Sequence, residues 1–182
     1  MKYYTGIGSR STPTSTLKEM QEVAVELHFK GYTLRSGKSK GADQAFQLGV
    51  ESQVEGKAEI YIPWSGFKND KLTDQYDMYL RLKDMEKCMD IASSLHPAWW
   101  RCTSGAKKLH ARNVLQILGR DLRTPSSFVL YYAEEDNYVV KGGTATAVNL
   151  ARREGIPTIN MKFDNWRVVL EAITETVEEK EL

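Results

Sequence analysis

Leu34-Arg35-Ser36-Gly37-Lys38-Ser39-Lys40-Gly41-Ala42-Asp43 reads as a short strand, a basic turn bracketed by glycines, and the first turn of a helix. Gly37 and Gly41 can adopt backbone angles barred to other residues, so the turn can be tight, with its amides pointing outward together. The amides that open the following helix carry unpaired N–H groups and the positive end of the helix dipole, and Lys38 and Lys40 add full charges beside them. Such a turn is an anion nest, with phosphate as its natural guest. An ordinary strand-to-helix turn with solvated lysines has the same spelling. Two further turns of the same kind in the chain favour the nest.

Upstream, Tyr3 to Ile7 read as a buried first strand that ends in Gly6-Ile7-Gly8-Ser9-Arg10. Thr16 with Glu19 three residues on is a capping-box signature, and the helix after it sets Leu17, Met20, Val23, Ala24 and Leu27 on one stripe. Gly31 ends that helix, and Tyr32 to Ser36 make the second strand. Downstream, Ala42, Ala45, Phe46 and Gly49 give the second helix a small-residue face suited to packing on a sheet. Ala58 to Pro63 form the third strand, closed by Trp64. Strand, helix, strand, helix, strand in about 60 residues predicts an α/β, Rossmann-like parallel sheet with helices on both faces. Ligands of such sheets sit at the carboxyl ends of the strands, where these glycine turns lie.

The segment of about residues 65–103 reads as a helical insertion, with one or two helices between Leu72 and Leu95. Pro97-Ala98-Trp99-Trp100 breaks it; the paired tryptophans read as a core anchor, an oligomer contact or a base-stacking surface. A helix follows from Ser104 to Leu118, carrying Arg112-Asn113. Ser127 to Tyr132 form a fourth strand and Ala133 to Asn137 an acidic turn. Lys141-Gly142-Gly143-Thr144 then opens another helix, the third anion-binding candidate. Pro157 to Met161 give a fifth strand. Asp164 caps a terminal helix over about 165–180, with Trp166, Val169, Leu170 and Ile173 on one face, and Glu178 to Glu181 form an acidic tip.

Composition bounds the chemistry. A chain of 182 residues, 41% apolar and 27% charged, is expected to form one domain spanning 1–182. Lys and Arg number 25 against 24 Asp and Glu, so no global field recruits a polyanion and any such site is a local patch. No apolar run approaches the roughly 20 residues of a membrane span, and Met1-Lys2-Tyr3-Tyr4 lacks a signal-peptide core, so a cytoplasmic protein without a membrane partner is expected. Cys88 and Cys102 fall outside any metal-like spacing, and His28, His96 and His110 do not cluster. Free thiols, no metal and no cofactor are the expectation.

Three motifs together resemble the DprA and Smf group of the SLOG superfamily, which also holds the LOG phosphoribohydrolases. Gly6-Ile7-Gly8-Ser9-Arg10 resembles that group's G-S-R turn. Ser36-Gly37-Lys38-Ser39-Lys40-Gly41-Ala42-Asp43 resembles its S-G-x-A-x-G-x-D segment, with Ser39 in the alanine place. Arg112-Asn113 matches an R-N pair, and Gly142-Gly143-Thr144 is similar to the superfamily's glycine-threonine turn. The resemblance implies a Rossmann-like fold that binds nucleotides or, in DprA itself, single-stranded DNA, and it implies a homo-oligomer. DprA proteins usually carry further domains and load a recombinase, whereas this length leaves no room for a separate winged helix.

LOG-type hydrolases carry a glutamate one turn after the glycine-threonine pair, and that place falls here on Ala147. Cleavage of an N-glycosidic bond develops positive charge on the ribose and needs an anion or a general acid and base beside it, which alanine cannot supply. The reading is therefore non-catalytic binding of a phosphorylated nucleotide or nucleotide-derived signal. A nucleotide N-glycosidase and a DprA-like single-stranded DNA binder are the alternatives. The expected ligand-binding residues are Gly8, Ser9, Arg10, Ser36, Gly37, Lys38, Gly41, Asp43, Trp64, Arg112, Asn113, Gly142, Gly143 and Thr144. Among these Arg10 suits a bidentate phosphate contact, and Asp43 reads chiefly as a cap on the helix it opens.

Overall fold

The computed structural model describes residues 1–67, 77–79 and 82–179. Its strands are β1 (Lys2–Gly8), β2 (Tyr32–Ser36), β3 (Ala58–Ile62), β4 (Asp77–Tyr79), β5 (Phe128–Tyr132), β6 (Glu135–Asp136), β7 (Val139–Val140) and β8 (Thr158–Asn160). Its helices are α1 (Thr14–Phe29), α2 (Ala42–Glu51), α3 (Leu82–Leu95), α4 (Ser104–Leu118), α5 (Ala145–Arg153) and α6 (Trp166–Glu179). Five parallel strands, extended at one edge by the short β4, lie in the order β4-β3-β2-β1-β5-β8. β6 and β7 form a separate antiparallel hairpin.

Residue alternation along the central strands builds two cores. Tyr4 of β1 and Phe128 and Leu130 of β5 face one side, with Met20, Val23 and Leu27 of α1, Phe46 of α2 and Trp166 and Leu170 of α6. Ile7, Val129 and Tyr131 face the other, with Cys88 of α3, Val114, Leu115 and Ile117 of α4, and Val148 and Leu150 of α5. Strands covered on both faces read as near-continuous apolar runs, which is why they are legible in the sequence. No helix among the described residues is long and apolar enough to cross a membrane.

Several local expectations change. Thr16 does not cap α1; it is buried inside it, and Leu17 N–H bonds the Pro13 carbonyl at 2.9 Å. Pro13, with φ fixed at −58° and no N–H to satisfy, starts the helix ahead of the threonine. Asp164 lies short of α6, whose first amide, from Trp166, bonds the Phe163 carbonyl at 3.2 Å. The acidic turn at Ala133 to Asn137 opens the β6–β7 hairpin, in which Asn137 and Tyr138 take left-handed φ of 47° and 65°. In the segment between Ser65 and Arg101, β4 joins the sheet beside β3 and α3 starts at Leu82. The parts of the expected 72–95 helix at 72–76 and 80–81, and the end of the acidic tip at 180–181, lie outside the described residues.

α1 and α2 approach so closely that a Cβ on Gly49 would stand 2.4 Å from the Gln21 carbonyl oxygen and 2.8 Å from Ala24 Cβ. Across the sheet, one carboxylate ties the hairpin to its surroundings. Glu135 accepts from the Tyr131 hydroxyl at 2.6 Å, Arg152 at 2.7 Å and Asn160 at 3.1 Å, joining β5, β6, α5 and β8. Burial works against the Glu135 charge, but these hydrogen bonds win and hold its carboxyl below the ordinary glutamate value.

Gly49→Val is expected to lower stability by about 2–3 kcal/mol, seen as a lower urea midpoint, because the helices must part to admit the side chain. Gly105→Ala, at a helical position with nothing within 4 Å of the new methyl, is expected to stabilise by up to about 1 kcal/mol. Glu135→Gln is expected to cost about 1–2 kcal/mol at neutral pH. A depressed carboxyl pKa stabilises above its unfolded value and ceases to do so as pH falls, so the wild-type advantage should shrink below the ordinary value of 4.5. Urea unfolding of both proteins across acid pH measures that convergence.

Candidate functional site

β1 feeds α1 on one face of the sheet, whereas β5 leads by way of the hairpin to α5 on the other. A parallel sheet opens a crevice where its connections diverge in this way. A cleft of about 690 Å³ lies at that point, lined by Ile7 to Ser11 after β1 and by Ala133 and Glu134 after β5. α4 supplies the wall with Arg112, Asn113 and Gln116, and Lys141 to Thr144 form the rim ahead of α5.

Of the expected residues, Gly8, Ser9, Arg10, Asp43, Arg112, Asn113, Gly142, Gly143 and Thr144 line this cleft. Ser36, Gly37, Lys38, Gly41 and Trp64 stand outside its lining, and the turn after β2 is represented by Ser39. Ser36 is buried, its hydroxyl donating to the Gly6 carbonyl at 2.6 Å. The left-handed residues of the basic turn are Lys38, with φ 60°, and Gly41, with φ 85°, and Gly37 is not one of them. Gly41 must remain glycine for a second reason, since a Cβ there would lie 2.6 Å from the Ser9 carbonyl oxygen. Trp64 packs edge-on against Phe67 with ring centres 5.2 Å apart, and it is Phe67 that reaches the cleft.

Asp43 does not cap its own helix; it bridges two loops. Oδ1 accepts from Gly8 N–H at 3.2 Å and Oδ2 from Ser39 N–H at 3.3 Å. Two amides expected to face an incoming anion thus already face an internal one. Burial pushes the Asp43 carboxyl above the ordinary range, and the Arg112 charge and the two amides pull it back. Arg112 is buried as well. Its Nη1 donates to the Gly37 carbonyl and, at 3.3 Å, to that of Tyr61, while Nε donates to Asn113 Oδ1 at 3.2 Å. Asn113 Nδ2 in turn donates to the Gly143 carbonyl at 3.0 Å. The Arg112-Asn113 pair therefore straps the loop after β2 to the loop before α5.

Groups without protein partners remain in the cleft. Arg10 is exposed and forms no ion pair with a described residue, and the Gly142, Gly143 and Thr144 amides have no acceptor among the described residues. Gln116, absent from the expected residues, is 1% exposed and lines the cleft; its Nε2, sealed beside Gly37, finds no acceptor. Its place three and four residues after Asn113 and Arg112, on the same face of α4, is the signal the sequence offers. Glu134 is engaged by Lys162, and Ala147 lies in the core rather than in the cleft.

The expectation that the histidines stay apart is overturned. One ligand atom from each of His96, Cys102 and His110 lies within 4.8 Å of the others. The break at Pro97 and the short 3₁₀ turn Trp99–Arg101 fold the chain back on α4, so spacing along the sequence does not measure distance here. Trp99 borders the cluster, with ring centres 6.3 Å from His96 and 6.2 Å from His110. Trp100 points away and is 80% exposed. Burial, then His96 and the Arg112 charge, lower His110 to about 4, so its imidazole is neutral at pH 7.

No protein-family model matches the sequence, and no curated protein matches it. Among solved structures, the fold is similar to that of DNA processing protein A from Helicobacter pylori, a protein described with a single-stranded DNA binding mode. The two share 19% sequence identity with a TM-score of 0.58 over 87% of this chain. The match covers 64% of the Helicobacter chain, slightly under two thirds of its length. At that identity the likeness shows a common Rossmann-like α/β fold.

Proposed function

We propose that the cleft binds one phosphorylated nucleoside unit and does not turn it over. The observation that carries this reading is the rim of the cleft, where exposed Arg10 and Lys141 stand with the unpartnered amides of Gly142 to Thr144. Phosphate belongs at the rim, against Arg10, Lys141 and the amides of Gly142 to Thr144. Ribose or base belongs deeper, toward Gln116 and Phe67. The cavity volume suits a mononucleotide, within the range of small-molecule pockets.

Binding without turnover is favoured by the state of the carboxylates. Asp43 is held by the Gly8 and Ser39 amides, and Glu134 is engaged by Lys162. An oxocarbenium-like ribose needs a carboxylate that is committed to it rather than to the protein. A second reading, in which the unit belongs to single-stranded DNA, draws on the likeness to DNA processing protein A. Charge then separates the two. A single nucleotide neutralises one or two charges, whereas a strand neutralises several and gives a steep salt dependence.

Calorimetric titration of the full chain with nucleoside monophosphates and with a short oligonucleotide, each at two salt concentrations, tests both readings. Arg10→Ala is expected to weaken the bound ligand at least about tenfold, roughly 1.4 kcal/mol or more. Gln116→Leu is expected to leave stability unchanged or raised, since it removes an orphan donor, while affinity falls by a similar factor because the cleft wall loses a polar group. Wild-type affinity unaltered by both substitutions, or no nucleotide or strand binding at all, would overturn the proposal.

A further inference from the structure

We infer that His96, Cys102 and His110 form a binding site for a borderline divalent cation of the zinc type. The donors are one thiol and two imidazoles, the set such an ion prefers, and no carboxylate takes part that would favour a hard cation. Cys102 Sγ lies 3.9 Å from His96 Nδ1 and 3.8 Å from Nε2, and the His96 and His110 ring centres are 4.6 Å apart. Around a tetrahedral zinc ion the edges between nitrogen and sulfur ligands are about 3.3–3.6 Å. From separations within 4.8 Å the three groups need close by at most about 1.5 Å.

Surroundings supply what a metal-bound histidine needs. His110 Nδ1 lies 2.8 Å from Thr146 Oγ1, and a proton held on that bond leaves Nε2 as the free donor. His96 Nδ1 accepts the Ala98 amide at 3.2 Å, a hydrogen bond that a metal at that nitrogen would replace. On binding, the Cys102 thiol gives its proton to solvent and the thiolate bonds the ion. Three protein ligands leave one position for water. The site cross-links the 96–102 turn to α4 and, through Thr146, to the start of α5.

Cobalt(II) is the probe of choice, because thiolate ligation produces a charge-transfer band in the near ultraviolet and a tetrahedral site produces intense visible bands. Full-length protein freed of metal by a chelator should bind one equivalent with both signatures, zinc should displace it, and zinc should raise the melting temperature. Cys102→Ser should abolish the charge-transfer band and weaken zinc at least about tenfold. His96→Gln, one residue past the end of α3, should weaken zinc by a similar factor and serves if the serine variant folds poorly. Absence of the charge-transfer band in folded wild-type protein, or a zinc-induced rise in melting temperature that survives both substitutions, would overturn the assignment. Arg10→Ala leaves all three ligands in place and should not affect zinc, so failure here and failure of the nucleotide reading are told apart.

Discussion

Burying a guanidinium removes its hydration, and the loss is tolerable only where fixed acceptors replace the water. Arg112 meets that condition by engaging the carbonyls of Gly37 and Tyr61, with the charge of Asp43 nearby. The same requirement determines the shape of the cleft. The loop after β2 must present its Gly37 carbonyl to α4, and the loop after β1 must present Gly8 N–H to Asp43. Consecutive residues on a helix point about 100° apart, so Asn113 reaches the opposite rim at Gly143 while Arg112 holds the near one. One short stretch of helix sets the separation of the two sides.

This arrangement moves the expected anion site outward. The nest legible in the basic turn is real as backbone geometry, yet its Ser39 amide and the Gly8 amide of the first turn close on Asp43. A phosphate brought to those amides would meet a carboxylate there and be repelled. On the proposed reading, phosphate is left the positions beyond Asp43, at Arg10, Lys141 and the loop before α5. These are exposed to solvent, where salt weakens charge attraction.

Strong periodicity made most of the scaffold legible. The second strand, Tyr32–Ser36, and α4, Ser104–Leu118, have the bounds that apolar patterning assigns them, and β1, β3, β5 and β8 lie within a residue of expectation. β4 was not legible, because a three-residue edge strand is too short for period-two alternation to register. Within the cleft, glycine turns and the Arg112-Asn113 pair could be found from spelling, since backbone geometry restricts which residues serve there. The function of Asp43 could not, because its partners Gly8 and Ser39 become neighbours only when β1 and β2 pair. Gln116 and the His96, Cys102 and His110 group are invisible for the same reason. A polar residue on a helix and two histidines fourteen positions apart acquire meaning only through what folds against them.

α4 and the start of α5 are joined by two rungs rather than one. His110 and Asn113 are three residues apart and so share a face of α4, and their partners Thr146 and Gly143 are three apart on the other side. The 2.8 Å and 3.0 Å contacts of these rungs fix both the distance and the rotation of the loop that carries the Gly142 to Thr144 amides. A single hydrogen bond would leave that loop free to pivot about it. Two, at the spacing of one helical turn, remove the pivot, so the amides are aimed before any ligand arrives and less ordering remains to oppose binding. His110 belongs to the cleft lining and to the histidine–cysteine group together, and the rung it makes is the mechanical link between the turn at 96–102 and the rim where phosphate is expected.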